Sequence, residues 1–288
     1  MMAVNWYPGH MHKARKEMKK VMPRVDLVIE VIDARIPFSS ENPSVTELRE
    51  DRPCIKILNK NDLADPKITP LWLDYYEQEQ GVQAVALNCT NRSQVRGKIL
   101  ELARRLLPHR NDEFLKPIRA MIMGVPNVGK STLINALAGR SVAKVGDEPA
   151  VTKSQQKIHL EGGIVLSDTP GILWPRMGSA DFGYRLAVSG AVKNTAIEFE
   201  DVALYAADYF LKAYPEVMIS RYKLKQLPES DMALLEEIGR KRGGLRPGGR
   251  IDLHKASEVL LHDYRSGALG RLSLETPAMV EKGGYSND

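Results

Sequence analysis

The chain has 288 residues, 43% of them hydrophobic and 27% charged, with 41 Lys and Arg against 36 Asp and Glu for a net charge of +5. This composition belongs to a soluble globular protein of roughly one or two domains and excludes a disordered chain or a fibrous repeat. No apolar run reaches the ~18 residues of a membrane span, no secretory leader opens the chain, and the two cysteines, Cys54 and Cys89, lack metal-ligand spacing, so a reducing cytoplasm is the expected setting.

The positive charge collects at two places. Residues 1–24 carry six Lys or Arg and one Glu, residues 25–218 are slightly acidic, and residues 219–271 carry 11 basic against seven acidic groups. A basic surplus outside a near-neutral middle points to a polyanionic partner such as a nucleic acid. Within the first segment His10 follows the Pro-Gly turn of Trp6-Tyr7-Pro8-Gly9, and Met11, Met18 and Met22 interleave with Lys and Arg. That pattern predicts an arm that packs its apolar stripe on the body and leaves its charges outside.

A first strand is predicted over Leu27–Ile32, rich in β-branched residues and too short for a helix. It runs into Asp33-Ala34-Arg35-Ile36-Pro37, where Asp33 and Arg35 read either as a structural ion pair or as an anchor for the arm or a partner. The second strand, Cys54–Leu58, leads into Asn59-Lys60-Asn61-Asp62, which fits N-K-x-D. A carboxylate at Asp62 can accept two hydrogen bonds from guanine N1–H and N2–H₂ that adenine cannot supply, so this position selects the base. Asn59 would brace the phosphate loop, and the Lys60 stem would cover the base plane. A third strand, Val82–Leu87, precedes Asn88-Cys89-Thr90, where a second base-contacting loop belongs. The next helix takes Asn91 or Ser93 as its N-cap, sets Val95, Ile99, Leu102 and Leu106 on one face, and ends before Pro108.

The fourth strand, Arg119–Met123, delivers the chain into Gly124-Val-Pro-Asn-Val-Gly-Lys-Ser131, a full G-x-x-x-x-G-K-[ST] motif opening a helix that stops at Gly139. The backbone of Asn127, Val128 and Gly129 would cradle the β-phosphate, with Lys130 on the β- and γ-phosphates, Ser131 on Mg²⁺, and Thr132 in the first helical turn. Downstream, Thr152 in Pro149-Ala150-Val151-Thr152 is the candidate switch threonine for Mg²⁺ and the γ-phosphate. A strand at Gly163–Leu166 precedes Asp168-Thr-Pro-Gly171, in which Asp168 would order Mg²⁺ through water and the Gly171 N–H would meet the γ-phosphate. The following residue, Ile172, occupies the place of the water-positioning Gln of Ras-like enzymes and cannot orient water. His10, whose imidazole titrates near neutrality, is the candidate to do so.

Strand–helix alternation predicts a doubly wound, mostly parallel α/β sheet over residues 25–176, with residues 1–24 as an arm packed on it. After Arg176 the strand signals fade. Amphipathic helices at Asp201–Tyr214, stopped by Pro215, at Ser230–Arg242 and at Asp252–Arg265 predict a small all-α domain over 177–288. Its Arg240, Lys241, Arg242, Arg246 and Arg250 surround a glycine-rich loop and are candidate contacts to RNA phosphates.

The base-reading motif at 59–62 precedes the phosphate motif at 124–131, the reverse of the usual order in GTPases. With its NWYPGHM, DARIP, NKND, GVPNVGKS, PAVT and DTPGIL segments, the chain resembles the circularly permuted GTPases, most closely the ribosome biogenesis GTPase A (RbgA/YlqF) family. The resemblance implies a cytoplasmic GTPase cycling between GTP and GDP with Mg²⁺, stimulated by the particle it serves; the protein is expected to be a monomer. Its partners would be a large ribosomal subunit precursor in late maturation and its rRNA, without a membrane. It further implies that His10 serves hydrolysis, that Asn127 helps hold a K⁺ ion, and that the C-terminal helices bind RNA as in antitermination regulators. Two departures stand out: the switch reads PAVT rather than a PGVT-like sequence, and the second base loop reads NCT rather than SAK. A GTPase switch acting on another RNA or protein, in tRNA modification or signalling, is the alternative.

Overall fold

Six strands form one sheet in the order β3-β2-β1-β4-β6-β5. They are β1 (Leu27–Asp33), β2 (Cys54–Asn59), β3 (Val82–Leu87), β4 (Ile118–Met123), β5 (Lys157–Leu160) and β6 (Ile164–Asp168). The computed structural model describes Lys16 and residues 18–110, 117–141, 157–160, 163–168, 180–192, 198–244, 246 and 248–281. Five of the strands are parallel to their neighbours, and β5 alone runs antiparallel, against β6. Every residue of β1 and β2 is buried, as expected of strands covered on both faces, which is why they read as continuous apolar runs. Edge strand β3 is only partly covered between Val82 and Leu87.

The helices, in chain order among the described residues, are α1 (Pro37–Ser40), α2 (Pro43–Arg49), α3 (Thr69–Glu77), α4 (Arg92–Leu106), α5 (Lys130–Ala138), α6 (Ala180–Ser189), α7 (Phe199–Ala213), α8 (Pro215–Tyr222), α9 (Asp231–Lys241), α10 (Leu253–Ser266) and α11 (Pro277–Glu281). Sequence signals set several boundaries directly. Asn91 caps α4 by accepting from the Gln94 N–H, Ser230 caps α9, and Asp252 caps α10. Gly139 ends α5 with φ of 67°, a conformation that favours glycine. Pro215 ends α7 as predicted and also opens α8 at its first position, where its missing N–H costs nothing.

One face of the sheet carries a cluster of Val28, Cys54, Val82, Met121 and Met123, onto which Met18, Met22, Val25, Val45 and Leu48 pack. The last turns of the basic arm therefore bury their methionines, while Lys16, Lys19 and Lys20 remain exposed. Met11 lies outside the described residues. Beside it a second cluster joins Ile32, Leu58 and Ala64 to Trp72 and Tyr76 of α3. The Val, Leu, Ile and Met side chains of these clusters contribute about 1.5–3 kcal/mol each when fully buried. Between the clusters sits a charged group: Lys56, 1% exposed, bonds Glu41 and lies 3.6 Å from Glu30 and 3.3 Å from Glu79, with the Tyr76 ring centroid at 4.4 Å.

Ser179–Leu274 form a separate compact helical unit. In it α7 buries Val202, Ala203, Ala206, Ala207 and Phe210, a helical stripe, and α10 buries Leu260, Leu261 and Tyr264. Asp263, buried in α10, accepts from Arg221 Nε at 2.9 Å, Arg221 Nη2 at 2.8 Å and the Tyr222 hydroxyl at 3.2 Å. Arg265 donates to the last carbonyls of α6, those of Ala187 and Val188.

The helical unit does not run to residue 288 as the sequence suggests. From Glu275 onward the chain groups with the sheet. The Glu275 carboxylate accepts from the N–H groups of Phe38 and Ser39 and from the Ser39 hydroxyl, its carbonyl accepts from Trp72 Nε1 at 3.2 Å, and Val280 of α11 packs on the Trp72 cluster. A five-residue helix holding one buried carboxylate has too little periodicity to announce this return.

Candidate nucleotide-binding site

Counted from β1, the sheet grows one way through β2 and β3 and the other way through β4 and β6. The strand order thus reverses between β1 and β4, and ligands of open α/β sheets bind beyond the carboxyl ends of strands at such a point. The motifs read from the sequence leave those ends: Asn59 closes β2, Asn88 follows β3, Gly124 follows β4, and Asp168 closes β6.

Backbone conformation builds the phosphate loop. Gly124 has φ of 152°, and a Cβ there would lie 2.3 Å from the Val31 carbonyl oxygen, so no other residue lets β4 pass β1 this closely. Gly129 has φ of 102°, and its Cβ would lie 2.2 Å from Asn59 Nδ2. Asn127 adopts φ of 58°, in the left-handed region that asparagine tolerates best among side-chain-bearing residues. These turns bring the chain to the N-terminus of α5, whose unpaired N–H groups and dipole favour an anion. Lys130 is buried, and its Nζ donates to the Val125 carbonyl at 2.8 Å, inside the loop it is meant to serve. Ser131 and Thr132 follow it, both half-buried.

Asn59 ties the separate motifs together. Its Nδ2 donates to the Val128 carbonyl in the phosphate loop at 2.6 Å, and its Oδ1 accepts from the Cys89 N–H in the second base loop at 3.0 Å. Each bond stabilises by about 0.5–1.5 kcal/mol, and together they fix two loops that are distant in sequence. Cys89 enters through its backbone, and burial pushes its thiol up to about 12, which removes it as a nucleophile. Asn88 forms a local turn, its Oδ1 accepting from the N–H and hydroxyl of Thr90. Lys60 holds φ of 59°, and Asp62 is exposed two residues on.

The sequence alone allows Asp33 and Arg35 to be either an ion pair or an anchor for the arm or a partner. They form a buried ion pair, Arg35 Nη2 to Asp33 Oδ2 at 2.8 Å, and the same Oδ2 accepts from Lys60 Nζ at 2.9 Å. Burial alone would raise the Asp33 pKa, but the adjacent Arg35 and Lys60 charges overcome it and hold the carboxyl well below the usual range. The signal that could have found this link is the parallel register of β1 and β2, which sets Asp33 beside Asn59.

The γ-phosphate side is described only in part. Asp168 pairs with Ile122 of β4, so its backbone runs beside the strand that delivers the phosphate loop. His10, Thr152, Gly171 and Ile172 lie outside the described residues, as does the side chain of Asp168.

A family model described as "50S ribosome-binding GTPase" matches residues 119–236. A protein of Priestia megaterium named "Ribosome biogenesis GTPase A" is 42% identical over 98% of this chain and 99% of its own length. The chain belongs to the ribosome biogenesis GTPase A family. A protein of the same name from Thermotoga maritima is 32% identical over 95% of each chain. The solved structure of GNP-bound YlqF from T. maritima superposes with a TM-score of 0.63 at 29% identity, covering 92% of this chain and 98% of that one. A GDP-bound TM YlqF structure gives a TM-score of 0.65. The membership establishes the chain as a GTPase that binds GTP and GDP on a circularly permuted domain. It accounts for base-reading loops that precede the phosphate loop in sequence yet meet it through Asn59. No described helix is long and apolar enough to cross a membrane.

Proposed function

We propose that this GTPase acts in assembly of the large ribosomal subunit, engaging the precursor particle and its rRNA late in maturation and leaving on GTP hydrolysis. The relatives' names and the 50S-binding family model support the particle as partner. The observation that carries the nucleotide chemistry is the pair of hydrogen bonds linking the Asn59 side chain to the Val128 carbonyl and the Cys89 N–H, which joins three motifs. Asp62 then reads guanine, Lys60 covers the base, and Lys130 turns from the Val125 carbonyl to the β- and γ-phosphates.

The residues suit Mg²⁺. Ser131 lies in the first turn of α5, at the helix N-terminus, and the Asp168 backbone closes β6 beside β4. Ser131, Thr152 and Asp168 would hold the ion, which neutralises charge between the phosphates. Thr152 and Gly171 sense the γ-phosphate, and His10 orients the attacking water. Asn127 would help hold K⁺, which would supply positive charge in place of an arginine finger. Arg240, Lys241, Arg242, Arg246 and Arg250 of the helical unit pair with rRNA phosphates, so binding to the particle weakens with salt. The protein works as a cytoplasmic monomer.

The deciding experiment is sedimentation of the protein with precursor large-subunit particles in GTP, GDP and a slowly hydrolysed analogue. Co-sedimentation is expected with the analogue and loss of it with GDP. Equal recovery in all three states would refute a nucleotide-controlled assembly role. His10→Ala is expected to cut particle-stimulated turnover by about 10²-fold or more with nucleotide affinity nearly unchanged. Unaltered turnover would remove His10 from the chemistry.

A further inference from the structure

Behind Lys60 lies a buried polar layer built by Asp33 and Arg35 of the DARIP segment. Asp33, at the end of β1, is almost entirely buried, and Arg35 and Lys60 both donate to its carboxylate. Oδ2 accepts from Lys60 Nζ at 2.9 Å and Arg35 Nη2 at 2.8 Å, while Oδ1 accepts from Arg35 Nε at 2.9 Å and the Arg35 N–H at 3.0 Å. The backbones are joined as well: Asp33 stands in register with Asn59, and the Ala34 N–H donates to the Asn59 carbonyl at 2.8 Å. The Asp33 N–H donates to the Ser40 hydroxyl at 2.9 Å, which fixes the carboxylate from its own main chain.

We propose that Asp33, oriented by Arg35, is the positioning residue for Lys60, and that it sets guanine-nucleotide affinity without touching the nucleotide. The proposal rests on the reading of Asn59–Asp62 as the base loop. Its physical content is preorganisation. A lysine stem free to sample its rotamers must be ordered when the base binds, and that cost is subtracted from affinity. Here the ammonium is tied down beforehand. The fork of Arg35 matters because a guanidinium holding both carboxylate oxygens keeps Oδ2 aimed at Lys60. Lys60 also holds a left-handed backbone, φ 59°, that a residue with a Cβ rarely adopts without support.

The test is a cycle of full-length variants read as dissociation constants for a fluorescent GDP. Asp33→Asn alone would strand the buried Arg35 charge and risk misfolding, so the informative variant is Asp33→Asn with Arg35→Met. It removes both buried charges and keeps an amide oxygen for the residue 35 N–H. Its folding is checked by thermal denaturation. Weakening by about two- to twelvefold is expected, the scale of ordering one long side chain on binding. Lys60→Met should weaken binding too, and adding it to the paired variant should cost nothing further, because both act through one ammonium. A merely structural pair would give additive losses, and additivity, or wild-type affinity in the paired variant, would overturn the positioning role. Wild-type affinity in Lys60→Met would likewise overturn it, whereas wild-type affinity in Asp62→Asn would overturn the base-loop reading beneath it.

Discussion

Asn59 and Asp33 are neighbours across β1 and β2, and each works with both ends of its side chain. Asn59 is a neutral bridge between loops, whereas Asp33 is a buried anion balanced by Arg35 and Lys60. The difference predicts a pH signature. The Asp33 pKa is depressed in the folded state, so its contribution to stability is complete above the unfolded value of about 4 and is lost as pH falls from there toward the folded value. Thermal midpoints measured between pH 6 and pH 3 should therefore fall less steeply in the Asp33→Asn, Arg35→Met variant than in the parent. Parallel curves would show that the Asp33 carboxylate is not selectively stabilised by folding. At this scale the sequence was half legible. Gly124, Gly129, Lys130 and Asn59 follow from motif chemistry alone, but the partner of Lys60 depends on strand register, which no local pattern contains.

Among elements, the central strands and α5 were readable because both faces of β1 and β2 are covered and because glycines bound the phosphate loop. Several elements escaped, among them α3 and α6. Strand β5 is four residues long, antiparallel and at the sheet edge, too short for alternation to be diagnostic. Helices α1, α2, α8 and α11 each open on a proline, a residue the sequence reading used as a stop. A charged residue in the middle of a core strand is the other surprise. Lys56 in β2 faces Glu30, Glu41 and Glu79, and its own burial would lower its pKa were the three carboxylates not raising it further. Burial pushes the Glu30 pKa upward against the opposing pull of the Lys56 charge. Removing the cation leaves a surplus of buried anions, and Lys56→Met should cost about 3–5 kcal/mol in denaturant unfolding, with Lys56→Met, Glu30→Gln recovering much of it. A loss below about 1 kcal/mol would mean that the cluster is reached by water.

For the whole molecule, the net charge of +5 says little until it is divided: the described lysines of the arm lie exposed beside buried methionines, and a second basic group surrounds the loop between α9 and α10. The boundary that the sequence set at residue 176 is near the start of the helical unit, but the second boundary, at Leu274, had no signal strong enough to see. Deleting residues 275–288 should therefore destabilise the sheet domain, because Trp72 Nε1 and the Phe38 and Ser39 N–H groups lose their acceptors at about 1–3 kcal/mol for each that stays buried. A melting temperature unchanged by the deletion would contradict that. The return at Glu275 makes the helical unit an insertion in the sheet domain and not an appendage to it. A sheet-domain fragment should therefore keep Glu275 and the residues after it, since trimming from the C-terminus removes the acceptors of Trp72, Phe38 and Ser39 first.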